Sequence, residues 1–500
     1  MQANGETRPG QDRKVGQYEI AELHEFERNL LSTCMRKSEF STHKLGVRRT
    51  MSSTDDTAAN SPNEPTVPVT KLVPSLGVVS PVQTLQETLE YATSPTNYLI
   101  RRLGEDVFKQ RSHLLSIPEK LVDRDNYAKG VHKQHFEQHI ATLLGKKHGL
   151  FFITGIQAQL TAMKIYCDKA GNDRVAWHHR CHLEIHEEHG FAEVFRLQRT
   201  LLGKAQLKVP TVEDVKAILS LPVEERPAVV LLELPNRELG CKTYPYNDLV
   251  QISRLCKAAN VKLHMDGARL WEIEPFYQDK SFANIAALFD SVYVSFYKGL
   301  GGAVGAMLVS SDEDFMIQAE KWQWRLGGRM VTSYQAVLDC ERGFNLNIDT
   351  FHRKWQKMCS VAAVIMEVTK EYRTKDGRRI VFFDPDVPTC CQVHTHIQGI
   401  TAEKLNAARE EVENKHRISV FRSVQPWQAL DEMDAERTLV KEENNIQEQG
   451  VVAQKEKSKE DPKNDHHFFE WMIRDENLSI GDDVFAKGWK GLCEIIAASQ

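Results

Sequence analysis

The run SVYVSFYKGLGGAVG, residues 291–305, decides the fold predicted for this chain. Its first half is apolar and aromatic, which is typical of a buried strand, and Lys298 stands where that strand gives way to a glycine-rich turn. A second strand-like run, VKLHMD at 261–266, ends in Asp266, and Arg269 follows shortly after it. A lysine and an aspartate at the ends of neighbouring strands could hold the two ends of a pyridine-aldehyde cofactor, the amine as a Schiff base and the carboxylate at the ring nitrogen.

Short strand-like runs alternate with helical segments between residues 149 and 311. The runs are GLFFITG (149–155), RVAWH (174–178), AQLKV (205–209), AVVLLELP (228–235), VKLHMD, SVYVSFY and AMLVSS (306–311). This alternation predicts βαβ units and an α/β fold with a large, mostly parallel sheet. Ligands of such sheets bind beyond the carboxyl ends of the strands, which is where Thr154, Pro235, Asp266 and Lys298 fall.

The segments around this sheet differ in composition. The first is polar and rich in Ser, Thr, Asn and Pro toward its end, and a late stretch is charged and poor in apolar residues. Met51 lies within the first segment and is an alternative start. The predicted organisation is a disordered N-terminal extension at 1–75, a helical arm at 76–125, a large cofactor-binding α/β domain at 126–340, and a small C-terminal α/β domain at 341–500 with a flexible insertion at 428–465.

The amino-acid composition limits the partners and the cellular compartment that we expect. A formal net charge of −5 gives no overall reason to expect nucleic acid or an anionic membrane as a partner. Ten cysteines without metal-ligand spacing suit a reducing compartment, so we expect a cytoplasmic protein. The arginines and lysines of the first fifty residues would make it mitochondrial if that segment is a presequence, but glutamates interrupt them. No apolar run is long enough to span a bilayer.

Each candidate site residue also has a simpler explanation. Lysines usually lie on the surface, and Asp266 would serve as the N-cap of a following helix. The apolar and glycine flanks of Lys298 favour the functional reading, because burial lowers the pKa of an amine and favours its neutral, nucleophilic form. Arg269 either pairs with an acidic neighbour or offers its fork to a carboxylate or a ring oxygen.

Two further segments carry candidate binding groups. The amides of Gly155 and Ile156 begin a helix after a strand, which is a natural seat for a phosphate. The segment WHHRCHLEIHEEHG at 177–190 spaces His182 and His186 four apart, as on one helix face, but it lacks the HExxH pattern of zinc proteases. A polar helix face explains most of these histidines equally well, and we expect no bound metal; His182 is the exception kept as a site residue.

The chain from about Asp125 to Thr332 resembles the threonine aldolase and β-eliminating lyase family of fold type I pyridoxal-phosphate enzymes. The resemblance depends on the order and spacing of seven motifs. These are DNYAKGVHKQHFEQHIATLLGKKHGLFF, ITGIQAQL, CHLEIHEEHG, ELPNRELGCKTYP, LHMDGARLWE, SFYKGLGGAVGAMLV and LGGRM.

The resemblance implies pyridoxal 5'-phosphate as cofactor, an amino acid as the small-molecule substrate, and a homodimer or homotetramer. It also implies a role for each matched residue. Lys298 forms the Schiff base, Asp266 pairs with the pyridine nitrogen, His182 stacks on the ring, Gly155 and Ile156 hold the phosphate, Arg269 helps to hold the substrate carboxylate or the ring oxygen, and Glu233 and Asn236 match the loop that enters the site.

The chain also departs from the family pattern, mainly where substrate would bind. Ile156 replaces the usual threonine of the phosphate seat, and Tyr297 replaces the serine before the lysine. Arg329 is displaced by two positions from the family's arginine. The C-terminal arginine that clamps the substrate carboxylate has no clear counterpart, and Arg474 is the candidate.

The first functional hypothesis is retro-aldol cleavage of threonine or a related β-hydroxy amino acid to glycine and an aldehyde. His182, His186 or a water between them would take the hydroxyl proton. The alternatives are a β-eliminating lyase that yields a keto acid and ammonia, and a non-catalytic protein that keeps the fold. Retention of both Lys298 and Asp266 argues against the last.

Overall fold

The computed structural model describes residues 68–74, 80–118, 124–203, 207–427 and 465–499. Three predictions fall outside these residues: the disorder of positions 1–67, the alternative start at Met51, and the insertion at 428–464.

Within these residues the strands form three sheets. In chain order the strands are β1 (Thr70–Lys71), β2 (His148–Phe152), β3 (Arg174–His178), β4 (Gln198–Leu202), β5 (Val229–Glu233), β6 (Lys262–Gly267), β7 (Ser291–Ser295), β8 (Ala306–Ser310), β9 (Val381–Asp384), β10 (Gln392–Gln398), β11 (Ile418–Ser419), β12 (Gln425–Pro426) and β13 (His466–Met472).

Helices flank the sheets, with 3-10 turns at Arg237–Leu239 and Glu274–Tyr277. The α-helices are α1 (Pro81–Thr93), α2 (Pro95–Leu103), α3 (Glu105–Arg111), α4 (Val131–Leu143), α5 (Gly155–Ala170), α6 (His182–Ile185), α7 (Gly190–Glu193), α8 (Val212–Leu219), α9 (Tyr246–Ala258), α10 (Leu270–Ile273), α11 (Phe282–Ala286), α12 (Glu313–Arg325), α13 (Tyr334–Asn347), α14 (Phe351–Thr369), α15 (Ala402–His416), α16 (Asp475–Leu478) and α17 (Asp482–Ala498).

The large sheet has seven strands in the order β2-β8-β7-β6-β5-β3-β4. Strands β7, β6, β5, β3 and β4 pair in parallel, and β8 is antiparallel to both of its neighbours. The predicted α/β fold with a large, mostly parallel sheet is therefore confirmed.

Both faces of this sheet are covered, which explains why its strands read as continuous apolar runs. In β5, Val230 and Leu232 belong to the core on one face, whereas Val229 and Leu231 belong to the core on the other. All four side chains are essentially inaccessible to solvent. With no polar face available along the strands, the polar groups of the sheet concentrate at the strand ends.

One strand prediction is wrong. The strand after RVAWH is β4, at Gln198–Leu202, and not AQLKV, whose residues 207–209 lie outside any strand. Strand β4 pairs only with β3 and forms an edge of the sheet, so its first residues, Gln198 and Arg199, are exposed. An edge strand with a polar start lacks the apolar signal that marks the central strands.

A second, smaller sheet is antiparallel and has the order β12-β13-β10-β9. Helices α14, α15 and α17 pack against it around the buried rings of Trp471 and Trp489, which stack with centroids 5.8 Å apart. The predicted boundary between residues 340 and 341 falls inside the continuous helix α13. Phe344 in that helix still belongs to the core of the large sheet, whereas Met358 in α14 belongs to the small core, so the change occurs between them.

The helices α1, α2 and α3 lie within the predicted helical arm and contact α13. A buried carboxylate, Glu341, joins the two parts. It accepts hydrogen bonds from the Tyr91 hydroxyl (2.9 Å) and the Ser116 hydroxyl (2.6 Å), and it pairs with the His132 ring at 2.7 Å. A carboxylate without access to water is stable only when such partners satisfy it.

The prediction of disorder up to residue 75 is wrong for residues 68–74. Strand β1 pairs in parallel with β11, and Leu72 is completely buried in the small core. The short run VTKLV at 69–73, flanked by prolines, gives little signal in the sequence. The burial of Leu72 nevertheless stabilises this segment against the small sheet.

Replacing Leu72 with alanine should lower the free energy of unfolding by about 2–5 kcal/mol, since it removes a buried side chain and leaves a cavity. Leu85, which is 70% exposed on α1, supplies the matched control, and Leu85→Ala should stay within about 0.5 kcal/mol of the wild type. Denaturant unfolding of both variants tests the prediction. Equal stability of the two variants would mean that residues 68–74 do not contribute to the core.

Candidate active site

The carboxyl ends of β5, β6 and β7 bring the predicted site residues to one edge of the large sheet. The register places Glu233 beside Asp266, and Asp266 beside Tyr293. Lys298 follows the end of β7, and the N-terminus of α5 follows β2 at the same edge, where the Tyr293 hydroxyl contacts Gly155. This is the edge at which ligands of parallel sheets bind.

Lys298 is half-buried in the turn after β7. Its Nζ lies 4.9 Å from the centre of the Tyr297 ring. Burial lowers the pKa of the Lys298 amine, and the positive charges of Arg269 and Arg237 lower it further. A lowered pKa increases the fraction of neutral amine, which is the form that attacks a carbonyl carbon.

Glu272 fixes the turn that presents Lys298. Its Oε1 accepts a hydrogen bond from the Gly299 N–H at 3.2 Å, and its Oε2 is 3.8 Å from the Cys391 thiol. A Cβ on Gly299 would come within 2.7 Å of Glu272 and of the Phe351 ring, so glycine is required there. The glycine-rich run therefore allows the chain to pass close to a buried carboxylate directly after the lysine.

Asp266 and Glu233 form a pair of buried carboxyl groups. Asp266 Oδ1 accepts a hydrogen bond from the Ala268 N–H at 3.0 Å, and Gln159 also donates to this carboxylate. The Glu233 carboxyl group accepts hydrogen bonds from the backbone N–H groups of His182 (3.3 Å) and Arg237 (3.1 Å). Burial raises the pKa of both groups, and burial together with the charge of Asp266 raises the pKa of Glu233 to about 8, so the pair shares a proton near neutral pH.

His182 lies next to these two carboxyl groups, at the start of α6. Its Nε2 pairs with Glu187 Oε1 at 2.6 Å, and its ring centre is 5.0 Å from that of His186. Burial opposes protonation of His182, but Glu187, Asp266 and Glu233 outweigh it and raise its pKa. His186 is held separately, with Nε2 2.8 Å from Glu238 Oε1.

The N-terminus of α5 presents free amides. Thr154 caps the helix by accepting a hydrogen bond from the Gln157 N–H at 3.3 Å. The N–H groups of Gly155 and Ile156 donate to no other group in the described part of the chain. A Cβ on Gly155 would overlap the hydroxyl of Tyr293, so this helix end can approach the sheet only with glycine. Ile156 is 37% exposed, and its apolar side chain has no hydrogen-bonding group. Only its backbone amide can therefore contribute to the phosphate seat.

Two of the candidate arginines line one cavity of about 400 Å³. Arg269 is 9% exposed, and its Nε is buried without a hydrogen-bond partner among the described residues. Arg474 lines the same cavity from the end of β13. Arg329, in contrast, donates to the Tyr127 carbonyl at 2.8 Å and stacks on Trp324.

Four residues at the site were not predicted: Glu272, Glu187, Gln159 and Tyr293. All four lie inside the quoted runs and motifs; Glu187 lies in the polar turn HEEHG, whereas Gln159, Glu272 and Tyr293 are polar positions of largely apolar runs. A polar residue in such a run has to find a partner, which is the signal that could have identified them. Asn236 also closes the site loop, since its amide donates to the Arg180 carbonyl at 3.1 Å.

No group of three or more His, Cys, Asp or Glu side chains among the described residues is arranged to hold a metal ion. No helix in the described part of the chain is long and apolar enough to cross a membrane.

Known proteins resemble this chain in sequence and in structure. The family model described as β-eliminating lyase matches residues 119–417. An uncharacterized protein of Caenorhabditis elegans is 24% identical over 333 residues, or 63% of this chain and 76% of that protein. Low-specificity L-threonine aldolase 1 of Arabidopsis thaliana is 27% identical over 203 residues, or 39% of this chain and 55% of that one. The chain spans about half the length of the threonine aldolases that it matches in sequence.

A solved structure covers more of the chain. The structure of a Listeria monocytogenes protein assigned as an L-allo-threonine aldolase has 29% sequence identity and a TM-score of 0.61. It covers 82% of this chain and 99% of that protein. A threonine aldolase of Leishmania major has 15% identity, a TM-score of 0.55 and 85% coverage of this chain and 99% of that one, and it supports the fold alone.

The raised pKa of Glu233 predicts how stability depends on pH. An ordinary glutamate has a pKa of 4.5, so the folded protein holds this proton more tightly than the unfolded chain. The resulting stabilisation is complete below about pH 4.5 and is lost as the pH rises through about 8, at up to about 1.4 kcal/mol per pH unit.

Glu233→Gln should remove this pH-dependent loss of stability. At low pH it should lower the free energy of unfolding by about 1–3 kcal/mol, because the NH₂ of the glutamine amide would face a backbone N–H. Unfolding of the cofactor-free protein from pH 5 to 8 measures the slope, with the exposed Glu320→Gln as control. An unchanged slope in Glu233→Gln would place the proton on another group.

Proposed function

Because this chain belongs to the β-eliminating lyase family, we propose that it is a pyridoxal-phosphate-dependent lyase that cleaves threonine or a related β-hydroxy amino acid to glycine and an aldehyde. Its fold is that of the fold type I pyridoxal-phosphate enzymes. The observation that carries the proposal is the meeting of Lys298, Asp266 and the free helix end of α5 at one sheet edge.

The residues at this edge fit the cofactor. The amides of Gly155 and Ile156, at the N-terminus of a long helix, suit its phosphate. Asp266 suits the ring nitrogen, because burial raises the pKa of this carboxyl group and a cationic ring beside it would favour its ionised form. Lys298 would hold the cofactor through its amine, and the unpaired Arg269 Nε suits the ring oxygen or the substrate carboxylate.

The cofactor, when bound, supplies an electron sink for the bond broken at the α-carbon. The chain supplies the proton transfers and the orientation. The raised pKa of His182 favours its protonated ring, so we assign His182 to packing against the cofactor. His186, 5.0 Å away and oriented by Glu238, is the better candidate for the base that takes the β-hydroxyl proton.

Incubating the purified protein and cofactor with a panel of amino acids tests the reaction. We expect glycine and an aldehyde from threonine or another β-hydroxy amino acid, and loss of both products in Lys298→Ala, because this variant lacks the amine that would hold the cofactor. Lys262, on the surface of β6 and paired with Asp290, gives the matched control Lys262→Ala, which should retain activity.

The other products of the same panel separate the alternatives. A keto acid with ammonia, and no glycine, would indicate β-elimination. Absence of any product while the cofactor absorbance band is present, and is lost in Lys298→Ala, would indicate a cofactor-binding protein without lyase activity.

Tyr297, which replaces the family's serine, is a candidate ligand of the cofactor phosphate. Its hydroxyl lies 3.4 Å from that of Tyr293, which contacts Gly155 at the start of α5. Tyr297→Phe should weaken cofactor affinity by roughly tenfold, which corresponds to loss of one hydrogen bond to a charged group. Titration of the apoprotein measures this, and Tyr246→Phe, whose hydroxyl donates to the Asn284 carbonyl, is the control. Equal affinity in both variants would exclude Tyr297 from the phosphate seat.

A further inference from the structure

The cavity that contains Arg269 carries an excess of positive charge. Four arginines line it, Arg237, Arg269, Arg422 and Arg474, together with the polar side chains of Gln392, Ser423 and Gln425. It adjoins the proposed catalytic lysine, because Arg269 and Arg237 are near enough to lower the pKa of Lys298. Among its described lining residues, Glu470 is the one carboxylate.

The carboxylate of Glu470 already has partners within the protein. Glu470 pairs with Arg237 at 2.7 Å and accepts a hydrogen bond from the Gln392 amide at 3.2 Å. Arg237 also pairs with Glu238 at 2.8 Å. The positive charge of Arg237 is therefore balanced by Glu470 and Glu238.

The other three arginines have no ion pair within the described chain. Arg269 is nearly buried, Arg474 is partly buried, and Arg422 lies exposed at the rim. Burial alone would lower the pKa of Arg269, but the nearby charges of Cys241, Glu272 and Glu470 raise it, although none of them forms an ion pair with it. The planar fork of each guanidinium matches a carboxylate with two parallel hydrogen bonds. The cavity thus offers a row of cationic groups that leads outward from the catalytic lysine.

Threonine would not use this row fully. It carries one carboxylate, its amino group is bound at the cofactor, and its side chain ends in a methyl group. A ligand with two carboxylates would place its α-carboxylate at Arg269 and Arg474, the candidate clamp, and its second carboxylate at Arg422.

Building on the proposed function, we propose that the substrate is a β-hydroxy amino acid with a second carboxylate on its β-carbon, of the β-hydroxyaspartate class. In this cleavage the Cα–Cβ bond breaks and its electron pair stays on Cα, which takes up a proton to give glycine. The β-hydroxyl loses its proton to the base and becomes the carbonyl of glyoxylate. All atoms of the substrate are found in these two products.

Steady-state kinetics test the substrate class. We expect kcat/KM for β-hydroxyaspartate to exceed that for threonine by about tenfold or more. Arg422→Met should lower the ratio of the two values by at least about tenfold, mainly through KM for the dicarboxylate, and Arg422→Lys should restore part of it. The exposed Arg196→Met, on a residue paired only loosely with Glu193, should leave the ratio unchanged.

Binding to the cofactor-free protein gives a readout independent of catalysis. Succinate should bind at least about tenfold more tightly than butyrate, weaken with added salt, and lose this advantage in Arg422→Met. Equal binding of the two acids, together with an unchanged kinetic ratio in Arg422→Met, would overturn the inference.

The outcomes separate this inference from the proposed function. Glycine from threonine, without any preference for β-hydroxyaspartate, would overturn the substrate class and leave the lyase intact. Tight succinate binding without glycine from any β-hydroxy amino acid would support the dianion site and overturn the lyase.

Discussion

The parallel register of β5, β6 and β7 is the constraint on which the rest of the site depends. It places Glu233 beside Asp266 and Asp266 beside Tyr293, so that one sheet edge carries two buried carboxyl groups and a hydroxyl in contact with α5. Because side chains alternate between faces, a slip of one residue would turn Asp266 into the opposite core. The apolar layers on both faces hold the register, and they keep water away from the carboxyl pair.

The central elements could be predicted from the sequence because both of their faces are buried. Strands such as β5 and β7 are uniformly apolar, and the polar residues that end them stand out. The edge strand β4 and the segment around Leu72 gave weaker signals, since each buries only a few side chains. The predicted boundary after residue 340 falls inside α13, which continues past that residue without any break in its helical pattern.

Single residues of the site could be predicted, but their pairing could not. Lys298, Asp266 and His182 were marked by motif, whereas Glu187, Glu272 and Gln159 become meaningful only when the fold brings them to their partners. Arg269 and Arg474 are far apart along the chain. Nothing in the sequence indicated that they would share a cavity with Arg422. That grouping depends on β13 of the small sheet, whose Phe468, Glu470 and Met472 line the cavity together with Arg269.

Residues 68–74 belong both to the small core and to the wall of the arginine-lined cavity. Leu72 anchors the segment in the small core, and Val73 and Pro74, which follow it directly, form part of the wall of the arginine-lined cavity. Displacing Leu72 from the small core would therefore also shift one wall of the cavity.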